Sequence, residues 1–264
     1  MNPRSGAAAS GTREGGNALA ISSLFSNYKP ALLRLPQGAE LTKPELLTEA
    51  FRMASEGRIA MYYAPHNEWI NRSAQVAIVG ITPGWTQMKA AYESAVAGLA
   101  AGLPDEEICR RAKRTAGFAG PMRQHLTAML DKLGLPECLD IRSSAELFGE
   151  KALLLHTTSL LKYPVFVQER NYTGANPDML ASPLLWGQAL AFLEELRDLP
   201  DVLLIPLGRS VERVLCRMAE EGRIHEERIL RGFPHPSGAN GHRKRQFAAQ
   251  QDAMQAKLRA FYGR

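Results

Sequence analysis

The sequence predicts an α/β protein, a three-layer α/β/α sandwich with a mostly parallel four-stranded central sheet. Four short apolar runs alternate with longer stretches of helical spacing, which is the pattern of a parallel sheet covered by helices on both faces. The chain has 264 residues, 45% of them hydrophobic, which is enough for a sizeable core. The four apolar runs, predicted as buried strands, are residues 75–80, 152–158, 202–208 and 228–234.

The domain organisation is predicted to be simple. Residues 1–20 are rich in Gly, Ala and Ser and show little apolar patterning, so we predict a disordered tail. Residues 21–264 are predicted to form a single α/β domain, in which residues 21–74 are an N-terminal helical extension. No internal repeat is visible in the sequence.

Helices are predicted from apolar spacing and from capping residues. Thr42 and Glu45 form a T-x-x-E capping box ahead of one helical pattern. Ser182 is a suitable N-cap for another helix, which has Pro183 at its first position. The predicted helices cover residues 46–54, 88–102, 105–115, 120–134, 183–199 and 209–222, together with a basic C-terminal segment that begins near residue 243.

The loops that follow the predicted strands are the expected place for a functional site. In a parallel sheet these loops meet at the carboxyl edge, where ligands bind in proteins of this class. We therefore expect four segments to converge: residues 81–87, residues 156–158, the turn after Gly208, and the loop 235–243, which reads HPSGANGHR.

Charge and cysteine content narrow the classes of function. The formal net charge of the chain is +5. Residues 242–264 contain six basic residues and one acidic residue, so their own net charge of +5 equals that of the whole chain. Such a concentrated basic segment suits a polyanion such as nucleic acid, although a solvated basic helix face is the plainer interpretation. Cys109, Cys138 and Cys216 are far apart and form no CxxC, so we expect reduced thiols and no metal site.

Other sequence features concern location and assembly. No run approaches the roughly 18 apolar residues of a membrane span, and the N-terminus lacks the apolar centre of a signal peptide. We expect a cytoplasmic, soluble monomer that uses no cofactor and does not contact a membrane.

Two loops of the predicted site carry a resemblance to a known family. G80-I-T-P-G84 matches a G-x-x-P-G turn after a first strand, and H235-P-S-G238 matches an H-P-S turn before a last helix. Together, in this order and about 150 residues apart, they resemble the two motifs of the uracil-DNA glycosylase superfamily. The resemblance spans residues 75–264 and implies DNA as the partner, either a duplex with an extruded base or a single strand.

The resemblance assigns roles around an extruded base. Phe118 is the expected aromatic wall, with Trp85 as a second candidate, and core packing is the alternative for either ring. His235 would face the base oxygen on which negative charge accumulates, a place where a fixed donor stabilises the transition state. The alternative for His235 is a turn histidine bonded to its neighbours. Ile81 and Asn171 are further candidates for contacts with the base, as is Tyr172, although residues of the 165–179 loop are equally suited to a turn.

The same resemblance assigns contacts with the DNA backbone. Ser237 and the N–H groups after it would bind a phosphate, and Gly238 would allow the backbone a close approach. Asn240 lies where the family inserts a wedge side chain, next to an alanine that is too small for that role. The DNA backbone would be bound by three basic residues at the start of the last helix, Arg243, Lys244 and Arg245.

Two departures from the family pattern point to a changed substrate. The first motif of relatives carries an acidic or amide residue that positions the attacking water, whereas this chain has Ile81 and Thr82 there, with Gln87 as a further candidate for placing a water. Glu169 or Asp178 are alternative sources of a carboxylate. His156 stands where an asparagine usually reads uracil, and an imidazole offers a different donor and acceptor pattern.

These departures lead to a predicted function and its alternatives. The predicted function is a monofunctional DNA glycosylase that removes a modified pyrimidine, such as hydroxymethylated or glucosylated cytosine of phage DNA, in antiviral defence. The first alternative is a uracil or mismatch repair glycosylase. The second is a catalytically silent DNA-binding member of the superfamily, and the third is a generic α/β enzyme acting on nucleotides or phosphates, although the P-loop and dinucleotide-binding motifs are absent from the sequence.

Overall fold

The computed structural model describes residues 24–118, 120–199 and 201–263. The predicted tail, residues 1–20, lies outside them. The helices are α1 (Leu24–Leu32), α2 (Lys43–Leu46), α3 (Trp85–Ala100), α4 (Asp105–Thr115), α5 (Gly120–Lys132), α6 (Leu135–Leu139), α7 (Pro183–Arg197), α8 (Arg209–Glu220) and α9 (Arg243–Tyr262). The strands are β1 (Arg52–Glu56), β2 (Ile59–Tyr62), β3 (Val76–Gly80), β4 (Leu155–Ser159), β5 (Val165–Val167), β6 (Arg170–Asn171) and β7 (Leu203–Pro206).

The centre of the protein is a parallel sheet of three strands in the order β4, β3, β7. Gly80 at the end of β3 pairs with Ser159 at the end of β4, and Val79 pairs with Pro206 of β7, so all three strands end at one edge. The protein is therefore a mixed α/β protein, as predicted. Three of the four predicted buried strands are present, and the second begins at Leu155 because residues 152–154 form a 3₁₀ turn.

The fourth predicted strand, residues 228–234, is reduced to a single parallel bridge between Ile229 and Leu204. A 3₁₀ turn over residues 226–228 precedes this bridge. Gly232 then adopts a positive φ of 88° and donates its N–H to Glu212 Oε2 at 2.6 Å instead of to a strand. The backbone therefore leaves the sheet after one residue, which corrects the expectation of a full fourth strand.

A second sheet, which the sequence patterns did not predict, is antiparallel and has the order β1, β2, β5, β6. The predicted helix over residues 46–54 is wrong. Glu45 does accept the backbone N–H of Thr42 at 2.7 Å, as a capping box requires, but the helix it begins ends at Leu46. A two-residue turn at Gly57, whose φ is +56°, then folds β1 onto β2, and β2 pairs in turn with β5. The N-terminal extension is therefore only partly helical.

Both faces of the parallel sheet are covered by apolar side chains. Ala77 and Val79 pack in a cluster with α3, α7 and α8, whereas Val76 and Ile78 pack in a second cluster with α5 and α9. This alternation is what a strand buried on both faces requires. Among the described residues, no helix has the length and apolar content needed to cross a membrane.

The predicted start of helix α7 is confirmed. The Ser182 hydroxyl accepts the N–H of Leu185 at 3.3 Å, and Pro183 is the first residue of α7. The basic C-terminal segment forms α9, which buries Phe247, Met254 and Leu258 and turns its charged side chains outwards.

Candidate functional site

A cavity of about 450 Å³ opens at the carboxyl edge of the parallel sheet. The loops after the strands were expected to converge at this edge, and three of the four expected segments line the cavity, whereas the turn after Gly208 does not and only Leu207 before it takes part. The loop after β3, the end of β4, the residue after β7 and the start of the 235–243 loop all contribute. The lining includes Gly80, Ile81, Thr82, Pro83, Gly84, Gln87, Phe118, Thr157, Thr158, Ser159, Asn171, Tyr172, Leu207, His235 and Ser237.

The loop after β3 is held rigidly by its own polar side chains. Thr82 donates its hydroxyl to the carbonyl of Tyr163 at 2.9 Å and accepts the N–H of Val165 at 3.0 Å. Gln87 accepts the N–H of Gly84 at 3.2 Å and donates to the carbonyl of Ala116 at 3.1 Å. Both candidates for placing a water therefore hold backbone groups, and Thr82 keeps one lone pair free for a ligand.

The loop 235–243 is fixed against its surroundings by its carbonyl groups. The carbonyl of Pro236 accepts hydrogen bonds from His125 Nδ1 at 3.0 Å and from Arg243 at 3.1 Å. Gly208, in the turn after β7, has a φ of +88°, and a Cβ there would lie 3.1 Å from the Cβ of His235. The turn after β7 therefore needs a glycine both for its backbone conformation and for its close approach to His235.

His235 lines the cavity, and one of its two ring nitrogens is held by the loop itself. Its Nδ1 accepts the N–H of Ser237 at 3.2 Å, which places the proton of a neutral ring on Nε2. Burial lowers the pKa of His235 below its ordinary value, so the ring is neutral at pH 7. Nε2–H has no hydrogen-bond partner among the described residues, and His235 is thus a fixed, uncharged donor at the cavity wall.

Of the three aromatic side chains predicted to contact a base, two line the cavity and one does not. Phe118 lines the cavity and packs edge-on against Phe148, with a distance of 6.5 Å between ring centroids. Tyr172 also lines the cavity, and its hydroxyl donates to the carbonyl of Pro177 at 2.7 Å. Trp85 is not part of the lining; its ring lies 6.0 Å from Lys43 Nζ and packs against the core. Phe118 and Tyr172 are therefore the aromatic rings placed to contact a ligand.

The structure places His156 beneath the cavity and not in its lining. Its Nδ1 accepts the N–H of Asn71 at 3.4 Å, so Nε2 carries the proton and donates it to Glu195 Oε1 at 2.8 Å. Burial would raise the pKa of Glu195, but the hydrogen bond from His156 and the positive charges of Lys113 and Lys162 outweigh it and lower that pKa. Burial lowers the pKa of His156, so the pair is a neutral imidazole bound to a carboxylate. On the face of β4 that carries His156, Thr158, two residues further along, belongs to the cavity lining.

No aspartate or glutamate contributes to the cavity lining within the described part of the chain. Asp178 forms an ion pair with Arg213, and the carbonyl of Glu169 accepts a hydrogen bond from Lys43. Asn171 lies at the rim, where its Oδ1 accepts the N–H of Trp85 at 2.9 Å. Neither proposed source of a carboxylate therefore reaches the cavity.

The predicted DNA-contacting residues divide into two groups. Asn240 donates its amide to the carbonyl of His235 at 3.2 Å and to Gln246 Oε1 at 3.0 Å, and Arg243 donates to the carbonyl of Ser237 at 2.8 Å. Both side chains stabilise the loop itself. Lys244 and Arg245, in the first turn of α9, are exposed, as is Gly238. Of the three predicted cations, Lys244 and Arg245 are therefore the two that extend into solvent.

Three buried polar residues that no sequence pattern predicted also line the cavity, namely His66, Asn67 and Lys113. His66 and Asn67 belong to a short 3₁₀ turn over residues 65–67 that carries no recognisable motif. Lys113 lies in a strongly charged helix, where a lysine usually points to solvent. One signal was available, because Lys113 follows Cys109 by four residues and so shares the buried face of α4.

Fold and site together define an α/β protein with a polar and aromatic ligand cavity at the carboxyl edge of a parallel sheet. The chain is 46% identical over 225 residues to the uncharacterized protein YoxB of Bacillus subtilis (strain 168), an alignment that covers 84% of this chain and 88% of that protein. The chain therefore belongs to the YoxB family. No protein-family profile matches the chain.

Proposed function

We propose that the protein is a monofunctional DNA glycosylase that flips out a modified pyrimidine, of the class of hydroxymethylated or glucosylated cytosine, and hydrolyses its N-glycosidic bond. One observation carries the proposal: the G-x-x-P-G loop, Phe118 and His235 of the H-P-S turn line the same cavity. These segments lie far apart in the sequence, and the resemblance assigns the first to the attacking water and the other two to the extruded base. The proposal includes a cytoplasmic monomer that defends against phage DNA and a three-layer fold in which the Ile229 bridge marks the place of the fourth strand.

His235 is assigned to the leaving base. When the bond to C1′ breaks, negative charge develops on the pyrimidine oxygens, and a fixed N–H donor in a shielded cavity stabilises that charge. The neutral Nε2–H of His235 provides such a donor, since Ser237 already holds Nδ1. Removal of a comparable donor in other enzymes lowers kcat by about 10²- to 10³-fold.

The cavity lining offers few groups that can activate the attacking water. The lining contains no carboxylate among the described residues, and the hydroxyl of Thr82 is bonded to two backbone groups. A dissociative cleavage, in which the base departs before the water attacks, needs least from a general base. In this proposal Thr82 orients the water through its remaining lone pair, and most of the catalysis comes from stabilising the leaving base.

Contacts with DNA are assigned to the 235–243 loop and the start of α9. Ser237 lines the cavity beside His235, and the exposed Gly238 leaves room for a phosphate next to it. Lys244 and Arg245 extend this surface with two exposed positive charges. This arrangement positions a backbone outside the cavity while one nucleotide enters it.

The experiment that tests the proposal is a base-excision assay with a matched histidine control. The purified protein is incubated with duplex and single-stranded oligonucleotides that contain uracil, hydroxymethylcytosine or glucosylated hydroxymethylcytosine, and abasic sites are detected by alkaline cleavage. We expect abasic sites at the modified cytosines. We expect His235→Ala to lower excision about 10²-fold or more, with unchanged DNA binding, whereas His242→Ala, at an exposed histidine of the same loop, leaves excision intact. If abasic sites formed at uracil alone, the proposed function would be wrong and uracil repair would be the function instead.

A second candidate function is a catalytically silent DNA-binding protein. The absence of a carboxylate from the described lining favours it, because such a cavity can hold a base without activating water. It predicts DNA binding that weakens steeply with salt and no abasic product from any of the oligonucleotides. The same assay, run with a binding measurement, distinguishes the two functions.

A further inference from the structure

Three buried polar side chains line the cavity. His66 is 4% exposed, Thr158 is 5% exposed and Lys113 is 7% exposed, and all three belong to the cavity lining. They come from separate elements: the 3₁₀ turn over residues 65–67, strand β4 and helix α4. We call these three side chains the cavity floor.

Two members of the cavity floor have buried polar atoms without a partner. Neither ring nitrogen of His66 nor the hydroxyl oxygen of Thr158 has a hydrogen-bond partner among the described residues. Buried polar groups in folded proteins are almost always paired, and both residues belong to the cavity lining, so a ligand in this cavity is a source of the missing partners. Burial, and then the charge of Lys113, lower the pKa of His66 to about 3, so its ring is neutral and has one donor and one acceptor.

Lys113 adds a fixed donor to the cavity floor. Its Nζ donates to Asn67 Oδ1 at 2.8 Å, and the amide of Asn67 donates in turn to the carbonyl of Lys162 at 2.6 Å. Asn67 is therefore held in one orientation and positions the ammonium group. An ammonium group has three N–H donors and no acceptor, so its ligand partner must be an oxygen or another acceptor.

The orientation of a flipped base decides which of its atoms reach the cavity floor. The sugar stays with the DNA backbone, on the side where Gly238 and Lys244 are exposed. The base then enters with N1 outermost, so C4 points inwards with N3 and C5 on either side of it. The cavity volume of about 450 Å³ leaves room for a substituent on the ring.

We propose that His66, Lys113 and Thr158 select a pyrimidine that carries a hydroxyl-bearing substituent at C5, and this inference rests on the proposed glycosylase function. A hydroxyl group donates and accepts hydrogen bonds, which matches the neutral ring of His66 and the hydroxyl of Thr158. A methyl group at the same place would leave these buried atoms unpaired. Sites built to bind a hydroxyl discriminate strongly against the analogue that lacks it.

The test compares bases that differ by one oxygen atom. Excision rates are measured on duplexes with 5-hydroxymethylcytosine against 5-methylcytosine, and with 5-hydroxymethyluracil against thymine. We expect the wild-type protein to prefer the hydroxymethyl base by tenfold or more in each pair. His66→Leu and Thr158→Val should each reduce this preference at least fivefold, and His66→Gln, which keeps a donor and an acceptor, should restore part of it.

Ser144→Ala is the matched control, because the Ser144 hydroxyl is also buried without a partner among the described residues but lies outside the cavity lining. We expect this variant to keep the wild-type preference. A wild-type protein that excises methyl and hydroxymethyl bases equally, or a preference that survives both His66→Leu and Thr158→Val, would overturn the inference while the glycosylase function stands.

A spectroscopic measurement on the wild-type protein avoids variants that fail to fold. The ring ¹⁵N shifts of His66 are recorded by NMR with free 5-hydroxymethylcytosine and with free 5-methylcytosine. We expect a change with the hydroxymethyl base and a smaller one with the methyl base, and equal changes with both would count against the selection. If no oligonucleotide yields an abasic site, the glycosylase function fails, and a selective shift at His66 would then show that the cavity floor recognises the base without cleavage.

Discussion

Lys113 places an ammonium group in a buried position, and we expect it to make the stability of the protein depend on pH. Burial, which the charge of Glu195 partly opposes, lowers the pKa of Lys113 from 10.5 to about 8. Between these two values the unfolded chain binds the proton more tightly than the folded chain does. The free energy of unfolding is therefore reduced by Lys113 below pH 8 and recovers as the pH rises towards 10.5.

The size of the effect is set by the two pKa values. Their difference corresponds to about 3 kcal/mol at about 1.36 kcal/mol per pKa unit. Between pH 7 and about pH 9.5, the linkage relation predicts that about 2 kcal/mol of this cost disappears. Lys113→Met removes the titrating group and keeps most of the side-chain volume, so the variant should lack this part of the pH dependence.

The assay is urea unfolding of the wild-type protein and of Lys113→Met at pH 7 and pH 9.5. Other groups titrate in this range, but they contribute equally to both proteins and cancel in the difference. Lys132→Met, at an exposed lysine, controls for the loss of a surface charge and should match the wild type. Identical pH dependence in the wild type and in Lys113→Met would refute the assignment of a buried, charged lysine at the cavity floor.

Three further predictions concern the surface, the loop after β7 and the fold. Lys244→Ala and Arg245→Ala should each reduce the slope of log affinity for DNA against log salt concentration by about 0.9, measured by fluorescence anisotropy. Gly208→Ala should cost about 1–3 kcal/mol in urea unfolding, because φ is +88° there, and should also shift the ring signals of His235. Ser182→Ala removes the N-cap of α7 and should cost about 1 kcal/mol, with DNA binding unchanged.

The parallel core could be predicted because its signals are local. The run that forms β3 is continuously apolar and ends at Gly80, and the same is true of β7 up to the turn at Gly208. The antiparallel sheet could not be predicted in this way. The capping box at Thr42 is real, but the structure of residues 52–62 is decided by the turn at Gly57 and by pairing of β2 with β5, about 100 residues away in the sequence.

Only those site residues that belong to a recognisable motif could be predicted from the sequence. The positions of His235 and Phe118 in the cavity could be predicted because each residue belongs to a recognisable turn or helix start. His156 was assigned from its place on β4, but the sequence does not record how deep a strand lies below a cavity, and Thr158 occupies the level that His156 was expected to fill. His66 and Lys113 have no motif, and their importance comes from burial, which depends on the packing of the whole chain.

The structure also indicates which step of the proposed reaction the cavity residues would assist. With Thr82 and Gln87 bonded to backbone groups, little is left near the loop after β3 to activate a water. Donors remain at both ends of the cavity, His235 on the loop side and Lys113 at the cavity floor. Both favour a base that carries negative charge, so the arrangement suits an enzyme that accelerates departure of the base more than attack by water. A cavity of this kind gains rate and selectivity from the same contacts, because the groups that recognise the base also stabilise it as it leaves.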